Sequence, residues 1–269
     1  MLRRKKMGGH VKKIRGVKLM VSLIFLAGVW STMIGNAGDA FAGDVERGKE
    51  VYNKYCTICH GGKGDGKGLV GIIHRVEKKG LTWSIYPRDL TVGTFKFRTT
   101  PTGCLPTDDD LTRTVTSGIL RSGMPSHIDV SEKDRLAVLE YIKTFSIRWE
   151  EEDPCEPLSA KKPDWVGSAS SVEKGEKVYK DMKCWECHGY TGMGDGPKSG
   201  ELKDDWGDKI LAFDFTTGTL KRGSSPENIY LTFATGLDGT GMPSYEDSLQ
   251  EEDRWHLVSF TLNLMGLVQ

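Results

Sequence analysis

The chain has 269 residues, with 37 lysines and arginines against 37 aspartates and glutamates, for a formal net charge of zero. Residues 1–42 hold eight of the basic residues and one acid, which leaves 29 against 36 and a formal charge of −7 over the rest. A mildly acidic body excludes nucleic acid as a partner, since phosphate binding needs a concentrated positive face; the length allows one large domain or two small ones.

The first predicted element is an export leader over 1–42. Basic residues as far as Lys18 run into an apolar stretch, 19–35, and the small-residue site Ala40-Phe41-Ala42 follows. That order makes a cleavable secretory signal. About 17 apolar and small residues also approach the lower limit for an uncleaved membrane anchor. Either reading exports the remainder.

Residues 43–149 form the first predicted domain. Val45, Gly48, Val51, Tyr52 and Tyr55 share one face of an opening helix. Cys56-Thr57-Ile58-Cys59-His60 comes next, then a glycine-rich loop with Gly64-Asp65-Gly66, then Arg88-Asp89-Leu90-Thr91 and Gly123-Met124-Pro125-Ser126. A closing helix presents Leu136, Leu139, Ile142 and Phe145 to one side, with Ser131 as its N-cap. Residues 150–171, rich in acids, proline and serine, read as a linker.

Residues 172–269 then repeat the landmarks in order. Glu173 to Tyr179 matches Glu46 to Tyr52, and Cys184-Trp185-Glu186-Cys187-His188 matches the first cysteine motif. Gly194-Asp195-Gly196, Phe213-Asp214-Phe215-Thr216 and Gly241-Met242-Pro243-Ser244 follow, and a segment carrying Leu257, Val258, Phe260, Thr261 and Leu264 closes the copy. The chain is therefore read as a tandem duplication of an all-α unit of about 100 residues. Glycine inside a helix costs about 1 kcal/mol relative to alanine. Its matched occurrence at Gly48 and Gly175 predicts that another helix packs closely at each.

Two cysteines separated by two residues can add across the two vinyl groups of one haem, and the adjoining histidine then reaches the iron, so C-x-x-C-H is a haem attachment signal. Zinc binding and thioredoxin-like chemistry use similar cysteine pairs. Neither requires the adjacent histidine or predicts two copies in an exported helical repeat. The expected cofactors are two covalently bound haem c groups, on Cys56 and Cys59 and on Cys184 and Cys187, with His60 and His188 as proximal ligands.

For the sixth ligand, methionine and histidine are the options. Met124 and Met242 occupy matching G-M-P-S contexts, 64 and 54 residues after their histidines. Met182, Met193 and Met265 are poorly placed or unmatched, and His74, His127 and His256 read as surface or loop residues. Met124 and Met242 are the expected distal ligands. Cys104 and Cys155 remain; in an oxidising compartment they most simply form a disulfide that staples the linker to the first domain.

On these motifs, the sequence from Gly43 to the C terminus resembles the class I cytochrome c family in a two-domain form. The resemblance implies that the opening and closing helices of each domain cross at the glycine, Gly48 and Tyr52 meeting the helix of Tyr141, and Gly175 and Tyr179 the helix of Phe260. It also implies a carbonyl that fixes each proximal histidine, from Pro197 in the second copy and from Pro87 or another residue in the first, where Lys67 replaces the proline. The stretch from Pro87 to Asp108 is similar to bacterial cytochromes that serve membrane or periplasmic oxidoreductase complexes. Arg88, Arg98 and Arg121 are candidates to pair with haem propionates.

Three functions are in play. The first is single-electron transfer between a redox donor and acceptor in the periplasm, by a non-enzymatic carrier with two six-coordinate irons. The second is a catalytic dihaem enzyme of peroxidase or thiosulfate-oxidising type, which needs an open iron position. The third is a subunit held in a respiratory oxidoreductase complex, with membrane association through the N-terminal segment.

Overall fold

In each half of the molecule two long helices cross where a glycine removes the side chain between them. The computed structural model describes residues 37–76 and 82–268. The expected leader lies outside the described residues except for 37–42, whose backbone continues the first helix. The first half contains α1 (Ala37–Tyr55), the single turn α2 (Thr57–His60), α3 (Asp108–Ser117), α4 (Glu132–Lys143) and α5 (Arg148–Glu151). Between α2 and α3 lies an antiparallel hairpin, β1 (Ile73–Val76) with β2 (Thr82–Ile85), which pairs Ile73 with Ile85. The second half repeats the helical order as α6 (Ala169–Asp181), α7 (Trp185–His188), α8 (Pro226–Thr235) and α9 (Glu251–Leu264). The hairpin is the one sheet among the described residues, and the fold is two similar helical domains in tandem.

The glycines behave as the repeat predicts. A β-carbon at Gly48 would stand 2.0 Å from the Ala137 carbonyl oxygen and 2.9 Å from Cβ of Tyr141; at Gly175 it would stand 2.0 Å from the His256 carbonyl oxygen and 2.9 Å from Cβ of Phe260. One turn further on, Tyr52 meets Tyr141 at 5.3 Å between ring centroids, and Tyr179 meets Phe260 at 5.1 Å. Such aromatic pairs contribute about 0.5–1.5 kcal/mol beyond their buried area. Ser131 caps α4 by accepting from the Asp134 amide at 3.1 Å, as expected. The expected α4 face is slightly misplaced: Ala137, Val138, Leu139 and Ile142 are buried, while Leu136 is 46% exposed.

The connecting segment is pinned on both sides. Cys104 and Cys155 form a disulfide, and the Leu158 amide donates to the Thr99 carbonyl at 2.8 Å. Leu158, Ala160 and Val166 then pack on the core of the second domain. Trp165 covers His256 at 4.5 Å, and the Gly167 amide donates to Ser259 Oγ. His256 is therefore not a surface residue; it is buried and bonded to Ser171 Oγ at 2.9 Å.

The domains are also joined directly. Arg98 of the first is fully buried and donates to the Phe95 and Pro101 carbonyls and, across the boundary, to the Thr235 carbonyl at 2.9 Å. It also pairs with Asp238 at 2.9 Å, which accepts from Thr102 Oγ1 and the Gly103 amide as well. Arg98 is thus an interdomain strut, not a free cation for a cofactor. Ala37–Gln269 form one compact unit.

Candidate functional site

Each cysteine motif folds into a single helical turn. The spacing i, i+3, i+4 puts both cysteines and the histidine on one side of that turn. In the first copy the Cys56 amide donates to the Tyr52 carbonyl and the His60 amide to the Cys56 carbonyl, so α1 runs almost directly into α2. The Tyr52 hydroxyl donates to the Gly61 carbonyl at 2.9 Å, and the Tyr179 hydroxyl to the Gly189 carbonyl at 2.6 Å, so the same tyrosine that packs the helix crossing also fixes the turn.

His60 Nδ1 lies 3.0 Å from the Arg88 carbonyl oxygen, and His188 Nδ1 lies 3.1 Å from the Phe213 carbonyl oxygen. A carbonyl can only accept, so each Nδ1 carries the proton and each Nε2 is left with its lone pair, as a metal ligand requires. Burial holds both imidazoles below their ordinary pKa, against the opposing pull of the carbonyl bond. The fixing carbonyls therefore come from Arg88 and Phe213, not from Pro87 or Pro197. These two residues head the matched Arg88-Asp89-Leu90-Thr91 and Phe213-Asp214-Phe215-Thr216 segments.

The glycine-rich loops match in a different register from that expected. The Gly66 amide donates to the His60 carbonyl and the Gly194 amide to the His188 carbonyl; Leu90 and Phe215 amides donate to Gly64 and Gly192. Gly64-Asp65-Gly66 thus corresponds to Gly192-Met193-Gly194, and the shared pattern is alternate glycine, with G-D-G coinciding by chance.

The methionine loops are built alike. Gly118 and Gly236 end α3 and α8 in the left-handed region, at φ 67° and 66°. The chain then doubles back: the Ile119 amide donates to the Met124 carbonyl and the Leu237 amide to the Met242 carbonyl. Ser126 Oγ donates to the Thr116 carbonyl at 2.7 Å, and Ser244 Oγ to the Ala234 carbonyl at 2.6 Å. Arg135 and Arg254 of the closing helices donate to loop carbonyls beyond each methionine, Ile128 and Val130 in one case, Tyr245, Glu246 and Leu249 in the other. The matched Asp-Arg pairs at the starts of α4 and α9 were the visible signal for these arginines. In the first domain Tyr55, next to Cys56, lies edge-on to His127 at 5.9 Å, which sets the methionine loop beside the attachment turn.

In the second domain Cys184, Cys187, His188 and Met242 line one cavity of about 800 Å³, within the range of cofactor pockets. Phe213, Ile229, Phe233 and Leu257 give it apolar walls. Burial pushes the Cys56 and Cys184 thiols up to about 11. Reactive redox thiols are lowered instead. The donor set and the apolar cavity fit haem. Met193 also lines the cavity but is exposed; Met182 caps α6, and Met265 is core.

Two similar domains, each with an attachment turn, an oriented imidazole and a braced methionine loop, define a haem protein. Residues 43–142 match the family described as cytochrome c oxidase, cbb3-type, subunit III, and residues 172–265 match the cytochrome c family. A chain of the reducing HAO-like protein complex of Kuenenia stuttgartiensis is 40% identical, with 83% of this chain and 96% of that chain covered at a TM-score of 0.75. No curated protein matches. The chain belongs to the cytochrome c family, with two cytochrome c domains in tandem, and its chemistry is haem-based electron transfer.

Proposed function

We propose that this chain is an exported dihaem cytochrome c that passes single electrons as a subunit or close partner of an oxidoreductase complex. The observation that carries the reading is the matched construction of the two sites: the same carbonyl-fixed histidine and the same serine- and arginine-braced methionine loop in both domains. Haem, when bound, supplies reversible one-electron chemistry at iron. Cys56 and Cys59, and Cys184 and Cys187, hold it by thioethers. His60 and His188 would hold the iron, kept neutral by burial and oriented by the Arg88 and Phe213 carbonyls. Met124 and Met242 would hold the iron from their loops and leave no open position for substrate, which disfavours a peroxidase-type reaction.

Membership of the similar chain in an HAO-like complex supports the subunit reading over a freely diffusing shuttle. No helix among the described residues is long and apolar enough to cross a membrane. Export rests on the leader and on the oxidising environment that the Cys104–Cys155 disulfide requires.

The test is spectroscopy of the wild type beside Met124→Ala and Met242→Ala. We expect two low-spin ferric haems, unchanged by cyanide or peroxide, and loss of half the methionine–iron charge-transfer intensity in each variant. An unchanged band in both variants, or a wild-type haem that is high-spin and turns over peroxide, would sink the proposal. Co-purification with an oxidoreductase distinguishes a subunit from a shuttle.

A further inference from the structure

The cavity of the second domain has a charged wall, and part of it belongs to the first domain. Arg88, Lys96 and Arg121 reach it from the first domain, and Arg222 from the second. Arg121 is already engaged, stacked over Phe213 at 5.1 Å and bonded to Thr217 Oγ1. Arg88 lies over the ring of Trp206 at 4.7 Å, yet its Nη1 is shut off from solvent with no hydrogen-bond partner. Nε and Nη2 of Arg222 are in the same position, although its Nη1 donates to the Arg98 carbonyl.

A buried guanidinium nitrogen without an acceptor is costly, so an anion is to be expected. The carboxylates whose charge reaches Arg88 are Asp89, Asp204, Asp205 and Asp238. Asp89 is taken up by the amide and hydroxyl of Thr91, and Asp204 by the amides of Trp206 and Asp208. Asp238 is bound by Arg98, Thr102 and Gly103, and Asp205 is exposed. Burial, with Arg88 and Lys221 nearby, also pushes the Lys96 ammonium down to about 7, against the weaker pull of Asp204. Haem carries two carboxylate side chains, and a guanidinium matches a carboxylate in shape and charge.

The backbone of Arg88 has a second role, because its carbonyl fixes His60. We propose that Arg88 ties the two haem sites together, its carbonyl holding the proximal histidine of the first domain and its guanidinium pairing with the haem carboxylates of the second. Arg88 is a positioning residue for the first site and a counter-charge for the second. Bound cofactor then completes the interface between the domains.

This inference rests on the dihaem reading, and redox titration of the full-length holoprotein separates the two. A wild type that does not show two one-electron waves overturns the dihaem reading itself. The second-domain wave is labelled by a Met242→His background, since methionine–histidine ligation raises the potential. Removing a nearby positive charge favours the oxidised iron. Arg88→Met, which keeps the backbone carbonyl, should therefore lower the labelled wave by about a tenfold change in the reduction equilibrium, about 59 mV for one electron. The other wave should stay in place, and Arg88→Lys should restore most of the shift. Lys96→Met, which empties a second cation from the same wall, should lower the same wave and carries the test if Arg88→Met yields no holoprotein. An unmoved labelled wave, equal shifts of both waves, or no restoration by lysine overturns the proposal.

Discussion

The closing helices of the two domains come from the same repeat and are buried very differently. In α9 every residue from Arg254 to Leu262 is buried, whereas α4 buries Ala137, Val138, Leu139 and Ile142 and leaves Leu136 in solvent. The difference lies in what covers each helix. Both closing helices also carry the helix before them, α3 on α4 and α8 on α9, where Tyr230 stacks on Trp255 at 4.2 Å; α9 carries in addition the connecting segment, whose Trp165 and Gly167 sit on His256 and Ser259. The attachment turns differ in the same sense. Ile58, between Cys56 and Cys59, is 54% exposed, while its counterpart Glu186 is paired with Lys198 and the neighbouring Trp185 stacks on Tyr190. A duplicated fold thus keeps its site geometry while its surroundings diverge, and the segment between the copies has become part of the second.

The disulfide is the strongest way to break this asymmetry. It closes a loop of 51 residues beside the interdomain contact at Asp238. Cys104→Ser with Cys155→Ser should cost about 4 kcal/mol through the freed chain entropy, read by denaturant unfolding of the holoprotein. The first domain should unfold earlier, with the second, wrapped by residues 158–167, following later; loss of the second domain first would contradict the comparison. Next come the crossing glycines. In an open helix alanine would stabilise, but a β-carbon 2.0 Å from a backbone oxygen forces the helices apart. Gly175→Ala should cost about 3 kcal/mol and Gly48→Ala about 2, because α9 is held on more sides than α4 and can shift less. Equal costs in thermal unfolding would mean that the covering of α9 adds no rigidity.

What the sequence showed and what it hid follow from the same physics. The attachment turns, the crossing glycines and the methionine loops depend on residue types at fixed spacing, so the repeat displayed them. The carbonyls of Arg88 and Phe213 were hidden because any residue can supply a carbonyl; position in the repeat marks them, and side-chain chemistry does not. The glycine loops misled because Gly-Asp-Gly occurs in both copies two residues out of step, and the backbone bonds of Gly66 and Gly194 decide the register. Arg98 read as a cofactor cation and His256 as a surface residue because their partners, Thr235 and Asp238 for the first and Ser171 and Trp165 for the second, lie across the fold.

The charged wall of the second cavity has no described equivalent in the first, and Lys96 gives it a pH signature. Its folded pKa, about 7, lies below its ordinary 10.5. Between those values the unfolded chain binds more protons, so stability of the cofactor-free protein should rise with pH across that window. Over the whole window the gain is on the order of 5 kcal/mol. Lys96→Met should flatten the rise, and bound haem carboxylates should flatten it too by restoring the charge. A wild-type curve already flat between pH 7 and 10 would remove Lys96 from the buried wall.

The finest comparison is between the two serines that brace the methionine loops. Ser126 and Ser244 make the same bond to the last turn of the preceding helix, at 2.7 and 2.6 Å, and each also accepts an amide two residues on, from Ile128 and Glu246. Replacing either by alanine removes one hydroxyl and should cost about 1 kcal/mol of global stability. Ser126 is exposed and Ser244 half-buried, so water can replace the lost bond in the first domain more readily than in the second. Ser244→Ala should therefore loosen its loop further, seen as a larger fall in methionine–iron charge-transfer intensity on mild heating. If Ser126→Ala shows the larger fall, the first loop depends more on its own hydroxyl than its neighbour does, and burial is not what holds Met242 in place.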